Sequence, residues 1–74
     1  MKSDETYLKA VGLNIRRIRK QKGLTMVAVA FDADMEYRQL GRIERGEINT
    51  SILAMLKISK ALKVEVFVFF QFDK

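Results

Sequence analysis

The stretch "MEYRQLGRIERGEINTS", residues 35–51, carries three arginines, one tyrosine and two glycines. Leu40 and Ile43 lie three apart, on one side of a predicted helix of about residues 36–45. Glu36, Tyr37, Arg38, Gln39 and Arg42 occupy the rest of its surface. Such a segment is either an ordinary solvated surface helix or a helix built to lie against a polyanion. Gly46 ends it, and Asn49, Thr50 or Ser51 can cap the helix that follows.

Upstream, the apolar residues Leu8, Val11, Ile15 and Ile18 keep the helical period through a first helix of about residues 6–22. Arg16, Arg17, Arg19, Lys20 and Lys22 crowd its second half, where cations complement the negative end of the helix dipole. Gly23 lies just past its end. Thr25 can cap a short second helix with Val29 and Ala30 as its small apolar face. Asp32 to Asp34 then reads as a turn, with Asp34 able to take a left-handed conformation.

Downstream, a fourth helix of about residues 51–62 is expected to bury Ile52, Met55, Leu56, Ser59 and Leu62. The tail "VEVFVFFQFDK" favours strand by propensity, yet Phe67 and Phe69 break strict alternation. Short helix and strand both stay open for residues 64–72. Its surplus of apolar side chains serves either as extra core or as a subunit interface, and the interface is the preferred reading.

Seventy-four residues suffice for one small domain, and 49% of them are apolar. A core that small is marginal alone and gains from a partner subunit. With no cysteine and no histidine, the chain lacks disulfides, thiolate nucleophiles, imidazole bases and nearly all zinc sites. No paired-acid site, phosphate loop or cofactor motif appears, so an enzyme is not expected, nor any cofactor or metal. No apolar run approaches a membrane span and the N-terminus lacks a signal-peptide core, so the cytoplasm is the expected compartment. A net charge of +5 attracts nucleic acid, anionic lipid or acidic protein without choosing among them. Attachment to a membrane surface would need the apolar stripe of the first helix, which the core already claims.

Helix, short helix, tight turn and helix form the order of a helix-turn-helix unit, whose second member enters the major groove of DNA. Arginine can fork onto guanine O6 and N7, glutamine can pair with adenine, and tyrosine can stack or bond a phosphate. These chemistries single out Glu36, Tyr37, Arg38, Gln39 and Arg42.

The ordered set "IRRIRKQKGLT" and "LGRIERGEINTSILAMLKISKAL" resembles the phage-repressor and Cro type of helix-turn-helix protein, the xenobiotic-response-element family, over residues 13–70. That resemblance implies an all-α, five-helix, lambda-repressor-like domain that binds operator DNA as a twofold dimer. It assigns Arg19 and Glu44 to a buried ion pair and base reading to Tyr37, Arg38 and Arg42, with Glu36 and Gln39 beside them. Backbone phosphates fall to Arg16, Thr25, Arg45, Asn49, Thr50 and Ser51.

There are four departures from the family pattern: Met26 replaces a DNA-contacting glutamine, Asp34 replaces a turn glycine, Gly41 lies mid-helix, and Phe67 and Val68 replace acids. The last change makes Val66, Phe67, Val68 and Phe70 the expected dimer interface. Two recognition helices about 34 Å apart would then read a pseudo-palindrome. The alternative is an antitoxin-like protein of the same fold, whose tail grips a toxin partner and whose DNA binding is autoregulatory.

Overall fold

The computed structural model describes residues 4–72. Helix α1 spans Asp4–Gln21, α2 Met26–Asp32, α3 Tyr37–Glu44 and α4 Ile52–Leu62, followed by a 3₁₀ helix at Val66–Phe70. Asp4 and Glu5 open α1 and Arg19 and Lys20 close it, each charge matched to its end of the helix dipole.

Among the described residues, the positive-φ positions are Gly23, Asp34, Gly46 and Lys63, one just past each α-helix. Each is flanked by the same two bonds. After α1, for instance, the Leu24 amide donates to the Arg19 carbonyl and the Gly23 amide to the Lys20 carbonyl. This pattern satisfies carbonyls that the helix end would otherwise leave bare. Lys63 adopts it without glycine's freedom, at φ 59°, a conformation that costs an L-residue about 1–2 kcal/mol.

The core gathers Val11 and Ile15 of α1, Val29 and Ala30 of α2, Leu40 and Ile43 of α3, and Met55, Ile58 and Leu62 of α4, closed by Phe69. Helix α1 crosses the end of α3 backbone to backbone. A Cβ at Gly12 would collide with the Ile43 and Glu44 carbonyl oxygens, so only glycine permits this approach.

One expectation needs correction. Ile52 is 89% exposed, and Leu56 is exposed as well, because α4 turns Ala54, Met55, Ile58, Ser59 and Leu62 inward instead. The buried Ser59 hydroxyl is satisfied by donating to the Leu56 carbonyl at 2.7 Å. For the tail, which the sequence left open between short helix and strand, the outcome is the short helix: Val66–Phe70 is a 3₁₀ helix, in which side chains three apart eclipse. Val66 and Phe69 therefore point inward while Phe67 and Phe70 point out, and Phe69 is fully buried at 0% exposure. Asn14 holds this turn in place. Its side-chain amide donates to the Phe69 carbonyl at 2.9 Å and to the Gln71 carbonyl at 3.0 Å. An edge-to-face contact between the Tyr7 and Phe72 rings, 5.3 Å apart, fastens the end.

Candidate nucleic-acid interface

Helices α2 and α3 pack on one another across the turn at Asp34 and present their outer faces to solvent. Leu40 and Ile43 anchor α3 in the core, which fixes the opposite side outward. Tyr37, Arg38, Gln39 and Arg42 are all exposed there, and Glu36 stands at the α3 N-cap without a side-chain capping bond. Among the described residues, neither Arg38 nor Arg42 has a hydrogen-bond or ion-pair partner for its guanidinium. Arg38, Arg42 and Arg45 follow at helical steps of four and three, so they form one cationic stripe.

The flanks supply polar groups. Thr25 Oγ1 accepts from the Ala28 amide at 3.1 Å and caps α2. Ser51 Oγ accepts from the Ala54 amide at 3.0 Å, which makes Ser51, rather than Asn49 or Thr50, the cap of α4. Asn49 is exposed, Thr50 is half-buried, and Arg16 is exposed on α1.

Arg19 is turned the other way. Its Nε donates to Glu44 Oε2 at 2.7 Å, its Nη2 to Oε1 at 3.1 Å, and its Nη1 to the Leu24 carbonyl at 3.0 Å. The pair is buried between α1 and the end of α3, so it sets the pose of α3 without reaching solvent. Met26 is likewise turned inward, half-buried against the core. Its side chain packs toward Gly41.

Arg45 has a partner that its sequence context does not announce. Its Nε donates to Glu47 Oε2 at 2.7 Å and its Nη2 to Oε1 at 3.3 Å, both side chains being open to solvent. That hydrogen-bonded carboxylate pushes the Arg45 guanidinium further up, and the same bond holds the Glu47 carboxyl below its ordinary value. Gly41 sits beneath this side chain. A Cβ there would meet no backbone, only Arg45 Nη1 at 3.1 Å and Met26 Cε at 3.4 Å. No backbone packs against this glycine; the Arg45 guanidinium lies over it.

Of the four tail residues expected at an interface, Val66 and Val68 are half-buried against the chain's own core. Phe67 and Phe70 remain outward, at 57% and 49% exposure. Phe70 lines an apolar groove with Tyr7, Leu8, Ile48 and Met55. Asn14 was legible in principle, since it interrupts the inward stripe between Val11 and Ile15. Among the described residues no cluster of acidic side chains is arranged to hold a metal ion, and no helix is long and apolar enough to cross a membrane.

The helix-turn-helix family HTH_3 matches residues 15–69. The chain belongs to this family. An HTH_3 protein of the Cro/C1 type is a DNA-binding transcriptional regulator, and the family is not one of enzymes. The chain is 34% identical over 56 residues to the uncharacterized HTH-type transcriptional regulator y4dJ of Sinorhizobium fredii, covering 76% of this chain and 73% of that one. Its fold is similar to the restriction-modification controller protein C.AhdI of Aeromonas hydrophila, with a TM-score of 0.83 and 33% identity over 85% of this chain and 96% of that one. It is also similar to the controller C.Esp1396I, solved as a tetramer on its natural 35 base-pair operator, with a TM-score of 0.79 and 33% identity over 86% of this chain and 84% of that one.

Proposed function

We propose that this HTH_3 regulator binds a specific double-stranded operator as a homodimer, acting as a repressor where the operator overlaps a promoter. The observation that carries the reading is the α3 surface: Tyr37, Arg38, Gln39 and Arg42 stand open to solvent, backed by the buried Leu40 and Ile43. In the major groove, Arg38 and Arg42 fork onto guanine, Gln39 pairs with adenine, and Tyr37 and Glu36 contact neighbouring bases. Arg16, Thr25, Arg45, Asn49, Thr50 and Ser51 lie on phosphates. Base-reading side chains supply discrimination and the phosphate contacts supply affinity and register. The operator-bound controller, similar in fold, supports the assignment.

Selection from random duplex DNA tests it. The enriched sequence is a pseudo-palindrome, and binding weakens with salt by a logarithmic slope of about −0.9 per phosphate neutralised. Arg38→Ala and Arg42→Ala each lower discrimination by about 1–3 kcal/mol at one base position while leaving the melting temperature nearly unchanged. Equal loss on every sequence would argue against base readout.

For the dimer, the support is the outward pair Phe67 and Phe70 beside the groove lined by Tyr7 and Met55, with Ile52 bare on α4. An isologous contact of these surfaces places the same patch on both subunits. Phe67→Ser combined with Phe70→Ser is expected to give folded monomers by sedimentation and to weaken operator binding. An intact dimer in that variant places the interface elsewhere.

A further inference from the structure

We infer that Arg45 is a preset phosphate clamp, and that Gly41 and Glu47 are positioning residues that hold its guanidinium ready for DNA. The inference rests on the DNA-binding reading above. A guanidinium has five N–H donors. Glu47 takes one from Nε and one from Nη2, which leaves both Nη1 hydrogens and the second Nη2 hydrogen unclaimed. Of these three, one on Nη1 and one on Nη2 lie along the end edge of the guanidinium, the edge that can bond two oxygens of one phosphate. Underneath, Nη1 lies 3.1 Å from where a Cβ at position 41 would sit, close enough that a side chain there would push it aside by a few tenths of an ångström, with the Met26 methyl 3.4 Å from the same point.

The seat places Arg45 in the same stripe as Arg38 and Arg42, next to the first turn of α2. A long side chain held in one pose before binding loses less freedom when it meets a phosphate. Gly41 is otherwise a poor choice, since alanine propagates a helix better and no backbone comes close enough to forbid it. Glu47 is likewise unexpected so close to a polyanion unless its bond to Arg45 compensates for its charge.

The test is a double-mutant cycle on the full chain, with Gly41→Ala and Arg45→Ala, singly and combined. Each variant is titrated with salt against the duplex selected by the wild type and against an unrelated duplex of equal length. Gly41→Ala is expected to raise the melting temperature by about 3–6 °C while weakening both duplexes by about three- to tenfold. In the Arg45→Ala background it has no further effect on binding, and Arg45→Ala flattens the salt slope by about one phosphate. Glu47→Gln, which removes a negative charge from the DNA side, gives no gain in affinity.

Equal weakening by Gly41→Ala with and without Arg45, or none in either, overturns the seat. Tighter binding by Glu47→Gln with a steeper salt slope also overturns it, because the carboxylate would then merely shield Arg45. A wild type that grips all duplexes equally sinks the sequence-reading function, while the cycle still decides the seat on the unrelated duplex. A wild type that ignores DNA at every salt concentration sinks both.

Discussion

Replacing Arg19 by alanine is expected to lower folding stability by about 3–5 kcal/mol, because it strands a buried carboxylate. Arg19 and Glu44 are only 8% and 6% exposed, and three of the five guanidinium donors are committed, two to Glu44 and one to the Leu24 carbonyl. Removing the cation leaves Glu44 at the α1–α3 contact with no partner and little water. It also frees the Leu24 carbonyl in the connection to α2. For a chain of this size each kcal/mol is about 4–8 °C in melting temperature, so the midpoint falls by more than 10 °C.

Glu44→Ala has a comparable effect, whereas joint replacement by apolar residues of similar volume, Arg19→Met with Glu44→Leu, recovers much of the loss. Urea denaturation followed by circular dichroism measures all four proteins. An Arg19→Ala variant that melts like the wild type but loses DNA affinity would make Arg19 a DNA contact instead. The functional consequence is indirect: the pair joins α1 to the last turn of α3, so losing it disorients the surface that carries Arg38 and Arg42.

The helices and their ends were legible because local chemistry decides them. Gly23, Asp34 and Gly46 are residue types suited to positive φ, and each lies where a helical period stops. Lys63 was not legible, since nothing in its chemistry asks for φ 59°. The inward face of α4 was misread for a related reason. In "ILAMLKISKAL" most positions are apolar, so periodicity selects no single face, and packing against α2 and the tail decides.

The tail turned on partners distant in sequence. Asn14 reaches carbonyls 55 and 57 residues away, and no window of local propensity contains that clamp. The exposed arginines of α3 were readable from helical spacing alone. Arg19 with Glu44 followed from the resemblance, as a contact across 25 residues must. Glu47 escaped notice, and Gly41 was noted only as a mid-helix glycine, because their contacts with Arg45 exist only once that side chain has a position.

Phe69→Ala is the companion test of the fold, expected to cost about 3–5 kcal/mol. The ring is 0% exposed and closes the core over Ile15, Ile58 and Leu62, so its removal leaves a cavity as well as lost burial. The loss also acts on the Asn14 amide, whose two acceptors lie on the turn that Phe69 pins down. Phe70 is adjacent in sequence but half exposed, and the two substitutions should separate cleanly. Phe70→Ala leaves the denaturation midpoint of the isolated subunit nearly fixed and, on the proposed dimer, makes the midpoint less sensitive to protein concentration. Phe69→Ala lowers the midpoint at every concentration. Truncation before Phe67 cannot replace this comparison, since it removes the buried ring together with the exposed Phe67 and Phe70. If Phe69→Ala melts within about 1 kcal/mol of the wild type, the tail does not close the core, and the outward orientation of Phe67 and Phe70 loses its physical basis.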